Sequence, residues 1–266
     1  MTENEASPRP AAAFAGGTLI GTLGGLIGLG GAEFRLPLLI GVFRFSAREA
    51  IILNKAMSLI VVASALVFRT KAISVELIGS HLDVVANLLA GSLIGAWLGA
   101  SWAIRMKNAT LYKLIAVLLV AIALVLLFGH EMTATRVAAF DGWALYVAGA
   151  LAGLTIGIIA SLMGVAGGEL LIPTLVLLFG LDIKLAGSLS LVVSLPTMLV
   201  GFARYSRDQS FAVLRRHKGF LLVMAAGSII GTLIGALLLG LISGAVLYPL
   251  LALILAVSAI KVWGHM

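Results

Sequence analysis

The 266-residue chain is 61% hydrophobic and only 11% charged, and its mean hydropathy is +1.17. A soluble domain carries about 25% charged residues, so these numbers exclude a water-soluble fold, a disordered chain, a coiled coil and a nucleic-acid-binding domain. The apolar segments are long rather than alternating, which predicts a helical integral membrane protein. The net charge of +7 lies in short connections between apolar runs, as in cytoplasmic loops, so we expect a lipid bilayer and no nucleic acid as partner.

The predicted elements follow a polar N-terminal tail, residues 1–13. Eight segments approach the roughly 20 residues that a membrane span needs. Two further apolar stretches, 33–43 and 169–181, each contain a proline and follow a glycine cluster. At about 1.5 Å per residue they cover roughly half to two-thirds of the hydrocarbon core, so they are predicted to be broken or re-entrant helices. The eight spans are 12–30, 50–68, 84–104, 111–128, 143–163, 187–205, 219–241 and 245–264.

The second half of the sequence repeats the first at a constant offset, the one that places Gly31 opposite Gly167. This single register holds over nearly the whole of each half, which chance matches in apolar sequence do not produce. We therefore predict membrane repeats at 14–128 and 150–264, joined by residues 129–149, which hold a linker and the start of the next span. Further matched pairs include Glu33 with Glu169, Pro37 with Pro173, Ser58 with Ser194, Gly91 with Gly227 and Tyr112 with Tyr248.

The repeats can be related in a parallel or an inverted way, and both arrangements place most basic residues on one side. Arg44 and Arg48 slightly favour the inverted arrangement, provided that the segment 33–43 crosses the membrane. In either case the basic stretch 204–218 is expected in the cytoplasm. The predicted fold is an all-α membrane bundle of two four-span repeats, each with one additional short helix. Duplicated bundles of this kind are typical of secondary transporters, whose site lies between the halves near the midplane.

The sequences GLGGAEFRLP (28–37) and GVAGGELLIP (164–173) carry the strongest signal. Their glycines permit a tight reversal of the chain. A helix that starts just after the reversal points unpaired N–H groups back at the turn, which makes an anion-binding position. The alternative is that the glycines only allow close packing. The candidate residues of the turns are Gly28, Gly30, Gly31, Ala32, Gly164, Gly167 and Gly168.

Two acids, Glu33 and Glu169, stand at equivalent positions in these motifs. An acid in a membrane is costly and usually functional, so each is a candidate for coupling to a proton or for gating. The alternative is a first-turn acid that stabilises its own helix by about 0.3–1 kcal/mol. An acid beside an anion site also repels the substrate unless it is protonated.

Polar residues on the next long helices form a second candidate set. Asn54 and Ser58 are four residues apart and share a helix face, and their partners are Ser190 and Ser194. They supply hydrogen-bond donors for an anion, or they bind neighbouring helices, as serines often do in membrane bundles.

Two bases have no charged partner in the other repeat, because Leu171 matches Arg35 and Leu191 matches Lys55. Either base can counter the charge of a substrate or reach the membrane interface. We expect the interface for Arg35, and both interpretations stay open for Lys55.

Two stripes of small residues, 91–100 and 227–236, are interpreted as the packing core of each repeat. The chain has no cysteine, and its four histidines show no metal-binding spacing. It also lacks HExxH, GxSxG and Walker-type motifs, so we expect no enzyme, no metal site and no cofactor.

At the duplicated glycine motif the sequence resembles the TauE/SafE family, the sulfite exporter and sulfonate permease group. Two alanines, Ala32 and Ala166, replace glycines of the family pattern, and the run 177–205 also resembles the family's second half. The resemblance covers about 95% of the chain. It implies a secondary carrier of sulfite or organosulfonates such as sulfoacetate across the cytoplasmic membrane. The residues that carry it are Gly28, Gly30, Gly31 and Pro37, then Gly164, Gly167, Gly168 and Pro173.

We therefore expect alternating access around an anion bound between residues 28–33 and 164–169. The expected partners are a small anion and a coupling proton or ion, and the chain can also form a homodimer. The alternatives are an anion channel on the same fold, a carrier of carboxylates or other oxyanions, and a membrane scaffold or sensor without cargo.

Overall fold

The computed structural model describes residues 10–27, 31–69, 78–128, 142–238 and 244–264. Residues 1–9 of the predicted tail and 129–141 of the predicted linker lie outside them. Within the described residues all regular structure is helical, with one 3₁₀ turn at Gln209–Ala212. The α-helices are α1 Pro10–Ile27, α2 Ala32–Gly41, α3 Ala47–Arg69, α4 Leu82–Arg105, α5 Asn108–Phe128, α6 Gly142–Met163, α7 Gly168–Phe179, α8 Ile183–Tyr205, α9 Val213–Arg216, α10 Lys218–Leu238 and α11 Gly244–Trp263.

The described part of each of the eight predicted spans lies almost entirely in one long helix, and residues 28–30 and 239–241 of two spans are outside the described residues. Five helices, α3, α4, α6, α8 and α10, are long and apolar enough to cross a membrane. Shorter apolar stretches occur in α1, α5 and α11. Large apolar side chains also point outward, and Trp143 and Leu237 are each 81% exposed. The prediction of an all-helical integral membrane protein is confirmed.

The two short helices turn back along the helices that precede them. Gly31, just before α2, packs against Ile20 in α1, and Gly16 near the start of α1 faces Leu38 near the end of α2. In the same way Gly167, just before α7, packs against Ile156 and Ala160 of α6, and Gly149 faces Phe179. Helices α2 and α7 therefore run antiparallel to α1 and α6.

Glycine is required at both reversals. Gly31 and Gly167 are the N-caps of α2 and α7, and their φ angles are 71° and 80°. This left-handed region costs roughly 1–2 kcal/mol for a residue with a Cβ atom. At Gly31 a Cβ would also collide with the Ile20 carbonyl oxygen. The glycine pattern in the sequence thus marks the places where the chain reverses.

Equivalent helices of the two halves have matching bounds. Helices α3 and α8 begin at Ala47 and Ile183 and end at Arg69 and Tyr205. Both pairs stand at the same offset as Gly31 and Gly167. The first residues of α2 and α7, of α4 and α10, and of α5 and α11 are separated by the same offset. The duplication itself stays a prediction from the sequence, and these bounds agree with its register.

The directions of the helices follow from residues that face each other. Helix α1 runs parallel to α10, since Gly17 faces Met224 and Gly21 faces Ser228. Helix α3 runs antiparallel to α6, since Gly164 packs against Ile51 whereas Lys55 bonds to Ser161.

The relative directions of the two halves can be deduced from these contacts. Helix α2 runs antiparallel to α1. Helix α3 then runs back along α2, since Asn54 reaches the Ala32 carbonyl at the start of α2, so α3 shares the direction of α1. Helix α4 is parallel to α6, since Gly91 lies against Ala150 and Gly99 lies against Ile158. The equivalent pairs α1 and α6, and α4 and α10, therefore run in opposite directions. This is the arrangement that the inverted form of the repeat predicts.

The two stripes of small residues pack between the halves, so the interpretation that each forms the core of its own repeat was wrong. The glycines of the first stripe lie against the backbone of α6, where Gly95 meets Leu154. The stripe in α10 lies against α1 in the same way, where Gly227 meets Phe14 and Gly231 meets Thr18. Each stripe is completed by the first helix of the other half, since glycines allow the two backbones to touch.

Replacing Gly95 by alanine tests this backbone contact. The added Cβ would collide with the Leu154 carbonyl oxygen, and overpacking of this kind costs about 1–3 kcal/mol. We expect a lower melting temperature of the detergent-purified protein. Gly219→Ala is the matched control, because a Cβ there meets no atom within 4 Å. Equal melting temperatures for the two variants would contradict the packing described here.

Candidate functional site

Both glycine turns meet at the side chain of Asn54, which is fully buried on α3. Its Nδ2 donates to the Ala32 carbonyl at 2.9 Å and to the Met163 carbonyl at 3.2 Å. Ala32 is the first residue of α2, and Met163 is the last residue of α6, just before the turn at Gly164. One amide therefore ties together the two reversals that the sequence repeat makes equivalent.

Arg35 is fully buried, so the expectation of an interfacial position was wrong. Its Nη1 donates to Asn54 Oδ1 at 3.3 Å and to Ser58 Oγ at 3.2 Å. The reversal of the chain before α2 places Arg35 inside the bundle, where α3 supplies acceptors for its guanidinium. Hydrogen bonds from a charged donor of this kind each stabilise by roughly 1.5–3 kcal/mol.

The carboxyl groups of Glu33 and Glu169 come together from the first turns of α2 and α7. Both residues are buried, with 0% and 4% exposure, and their carboxyl groups are close enough to interact directly. Neither oxygen of Glu33 has a hydrogen-bond partner within the hydrogen-bonding distance limit among the described residues. Two like charges in a buried site repel strongly, so a proton or another positive charge must compensate them.

Lys55, the residue after Asn54, is also fully buried. Its Nζ donates to Ser161 Oγ on α6 at 3.3 Å. The backbone carbonyl of Ser161 accepts from the Tyr205 hydroxyl at 2.9 Å. Gly201 of α8 packs directly over Lys55 and Ser161, because a Cβ there would lie 2.7 Å from both Nζ and Oγ. Helices α3, α6 and α8 therefore converge on this ammonium group.

The predicted serines of the second half take different positions. Ser190 Oγ donates to the Gly187 carbonyl of its own helix at 2.9 Å. Ser194 Oγ is buried and has no hydrogen-bond partner among the described residues. Neither hydroxyl therefore hydrogen-bonds to Asn54 within the described residues.

The predicted turn residues lie largely where the sequence placed them. Gly28 and Gly30 fall outside the described residues. The remaining candidates lie in or beside the two turns, and they are Gly31, Ala32, Glu33, Gly164, Gly167, Gly168 and Glu169.

Ser161 and Gly201 were not identified as site residues from the sequence. Ser161 precedes the turn in an apolar helix, and Gly201 stands among apolar residues near the end of its span. Their role depends on which helix of the other half lies opposite, and neither residue type nor spacing contains that information.

The assembled groups form a buried polar cluster at the junction of the two halves. It contains hydrogen-bond donors, two basic side chains and two acids, within a shell of apolar helices. No group of three or more metal-ligating side chains occurs among the described residues. Such a cluster suits a small, multiply hydrogen-bonded anion whose charge is balanced by the neighbouring bases. It comprises Glu33, Arg35, Asn54, Lys55, Ser58, Ser161 and Glu169.

Short helices that begin inside a bundle, next to a buried polar cluster, are typical of multi-pass membrane proteins of the transporter type. The family model of the sulfite exporter TauE/SafE matches residues 13–262. The chain therefore belongs to the TauE/SafE family, a family of membrane transporters and not of enzymes. No curated protein and no solved structure matches the chain significantly.

Replacing Asn54 by leucine tests its position between the turns. The change removes its hydrogen bonds to Ala32, Met163 and Arg35. Each buried partner left unsatisfied costs about 1–3 kcal/mol, so we expect a clear loss of thermal stability in detergent. Ser64→Ala serves as control, because Ser64 Oγ donates to the Ile60 carbonyl in its own helix. If both variants melt like the wild type, Asn54 does not join the two turns.

Proposed function

We propose that the protein is a secondary transporter of small anions in the cytoplasmic membrane, with sulfite or an organosulfonate such as sulfoacetate as cargo. The observation that carries the proposal is the buried polar cluster at the starts of α2 and α7, in a chain of the TauE/SafE family. Family membership supports the sulfur oxyanion class, and the cluster offers donors and bases for such an anion.

The binding position lies between residues 31–33 and 164–169. At the start of α2 the N–H groups of the first turn lack acceptors within the helix, and the α-helix dipole adds partial positive charge. The side chains of Asn54 and Ser58 border this region, and Ser190 and Ser194 are their partners in the repeat register. When the anion binds, these fixed hydrogen-bond donors take the place of the water molecules that hydrate it in solution.

Alternating access follows from the two hairpins, α1 with α2 and α6 with α7. Both hairpins bond to α3 through the side chains of Asn54, Arg35 and Lys55, whereas α1 and α6 pack closely against α10 and α4. In this proposal each hairpin therefore moves against α3 together with the helix it packs on. Ion pairs tie the start of α3 to the segment 206–217, where Arg48 lies 3.9 Å from Asp208 and Glu49 lies 3.4 Å from Arg216. These pairs close the bundle at that end, and their exchange for contacts at the other end opens it.

Glu33 and Glu169 couple transport to protons in this proposal. An anion cannot enter beside two ionised carboxylates without strong repulsion, so its arrival favours protonation of the pair. Protons and anion then cross together. First-turn acids of this kind would otherwise be poorly placed next to an anion site, because they compete with the anion for the same N–H groups.

Reconstitution into liposomes tests the transport function directly. Radiolabelled sulfoacetate should enter vesicles that are preloaded with unlabelled sulfoacetate, should do so saturably, and should show counterflow. Flux that rises linearly with driving force and without counterflow would instead identify a channel. If sulfite, sulfoacetate, taurine, sulfate and carboxylates are all neither bound nor moved, the anion-carrier proposal fails.

The double variant Glu33→Gln/Glu169→Gln tests the coupling. A pH gradient, acidic outside, should drive sulfoacetate into wild-type vesicles, since this cargo stays ionised near neutral pH. The double variant should lose this acceleration while it keeps counterflow, because the amides preserve volume but cannot exchange a proton. An unchanged response to the gradient in the variant would contradict coupling through the pair.

A further inference from the structure

Lys55 is a buried cation whose described partner is neutral. Its hydrogen-bonding partner is the Ser161 hydroxyl at 3.3 Å, and an ammonium group has three protons to donate. The ion pairs between described residues, Arg48 with Asp208 and Glu49 with Arg216, involve the first turn of α3 instead. Buried charges are normally paired, because an unpaired one is costly in an apolar interior.

Lys55 lies near the contact that joins the two glycine turns. Lys55 follows Asn54, which holds both glycine turns, and Ser161 lies on α6 just before the turn at Gly164. The absence of a side chain at Gly201 leaves the space that the head of Lys55 and the hydroxyl occupy. A movement of the hairpin α6 and α7 relative to α3 therefore changes what surrounds Nζ.

The charge is also unique to one half. Leu191 of α8 stands where the repeat register places the equivalent of Lys55, and it packs in an apolar cluster with Val62 and Met198. Arg35, the other base of the cluster, already donates to Asn54 and Ser58. Lys55 Nζ, by contrast, donates to a single described hydroxyl, that of Ser161.

We propose that Lys55 Nζ is the counter-charge that binds one oxyanion group of the cargo, with the Ser161 hydroxyl beside it and Gly201 providing the space. This inference rests on the proposed function, which it deepens by naming the group that selects for negative charge. Because Lys55 provides one binding position for an oxyanion group, a cargo with two different anionic groups binds in one orientation. Neutral molecules of the same shape are rejected, since they leave the ammonium unpaired.

The test uses Lys55→Met in the full-length protein, with sulfoacetate binding followed by calorimetry and by the anion-induced shift in melting temperature. Loss of a buried charge partner should weaken binding about 30-fold or more. In anion-free buffer the variant should melt at or above the wild-type temperature, because an uncompensated buried charge has been removed. Lys113→Gln removes an exposed lysine and should leave binding unchanged.

Gly201→Ala provides a second variant that keeps the charge. The new Cβ would lie 2.7 Å from Nζ, so the head of Lys55 must shift, and we expect weaker binding with the fold intact. A Lys55→Met protein that melts below wild type but keeps its full anion-induced shift would overturn the proposal, as would unchanged affinity in both variants. Wild-type protein that binds no anion at all would instead refute the proposed function itself.

Discussion

The structure depends on one constraint: two helices begin inside the bundle, where water cannot satisfy their polar ends. The turns at Gly31 and Gly167 bring these ends to the junction of the halves, where the first N–H groups of α2 and α7 lack acceptors and the last carbonyls of α6 lack donors. Asn54 satisfies a carbonyl from each side of the junction with one amide group. Around this contact the charged side chains of the first turns become interior residues. The reversals therefore create both the unsatisfied polar helix ends and the polar cluster.

The same constraint explains why the cluster holds so much charge. Helix α2 cannot point Glu33 and Arg35 to the membrane surface, since it runs back along α1 within the protein. The acids then meet across the junction, and the bases turn toward α3 and α6. A buried charge is costly unless a bound ligand or a proton compensates it. Buried ionisable residues in membrane bundles therefore mark transport pathways. The stripes of glycine in α4 and α10 hold the surrounding helices close enough to exclude lipid and water.

Much of the architecture could be predicted from the sequence because it depends on local pattern. Span length, glycine turns and the register of the repeat fix where α2 and α7 begin, and each starts at the residue just before its acid. The burial of Arg35 could not be predicted, because a long cationic side chain reaches an interface or an interior acceptor equally well, and its acceptors lie on α3. Pairing of the glycine stripes across the halves was missed for a similar reason. A stripe shows that a helix packs closely and does not show against which helix.

The claim at the centre of this account is that a small anion occupies the cluster and that access to it alternates. Since the chain has no cysteine, Ser58→Cys gives a single reporter thiol beside Arg35. Labelling with a membrane-impermeant maleimide should be slowed by saturating sulfoacetate, whereas labelling of the exposed control Ser206→Cys should not change. A Ser58→Cys protein that still transports sulfoacetate but is labelled at the same rate with and without it would contradict the account.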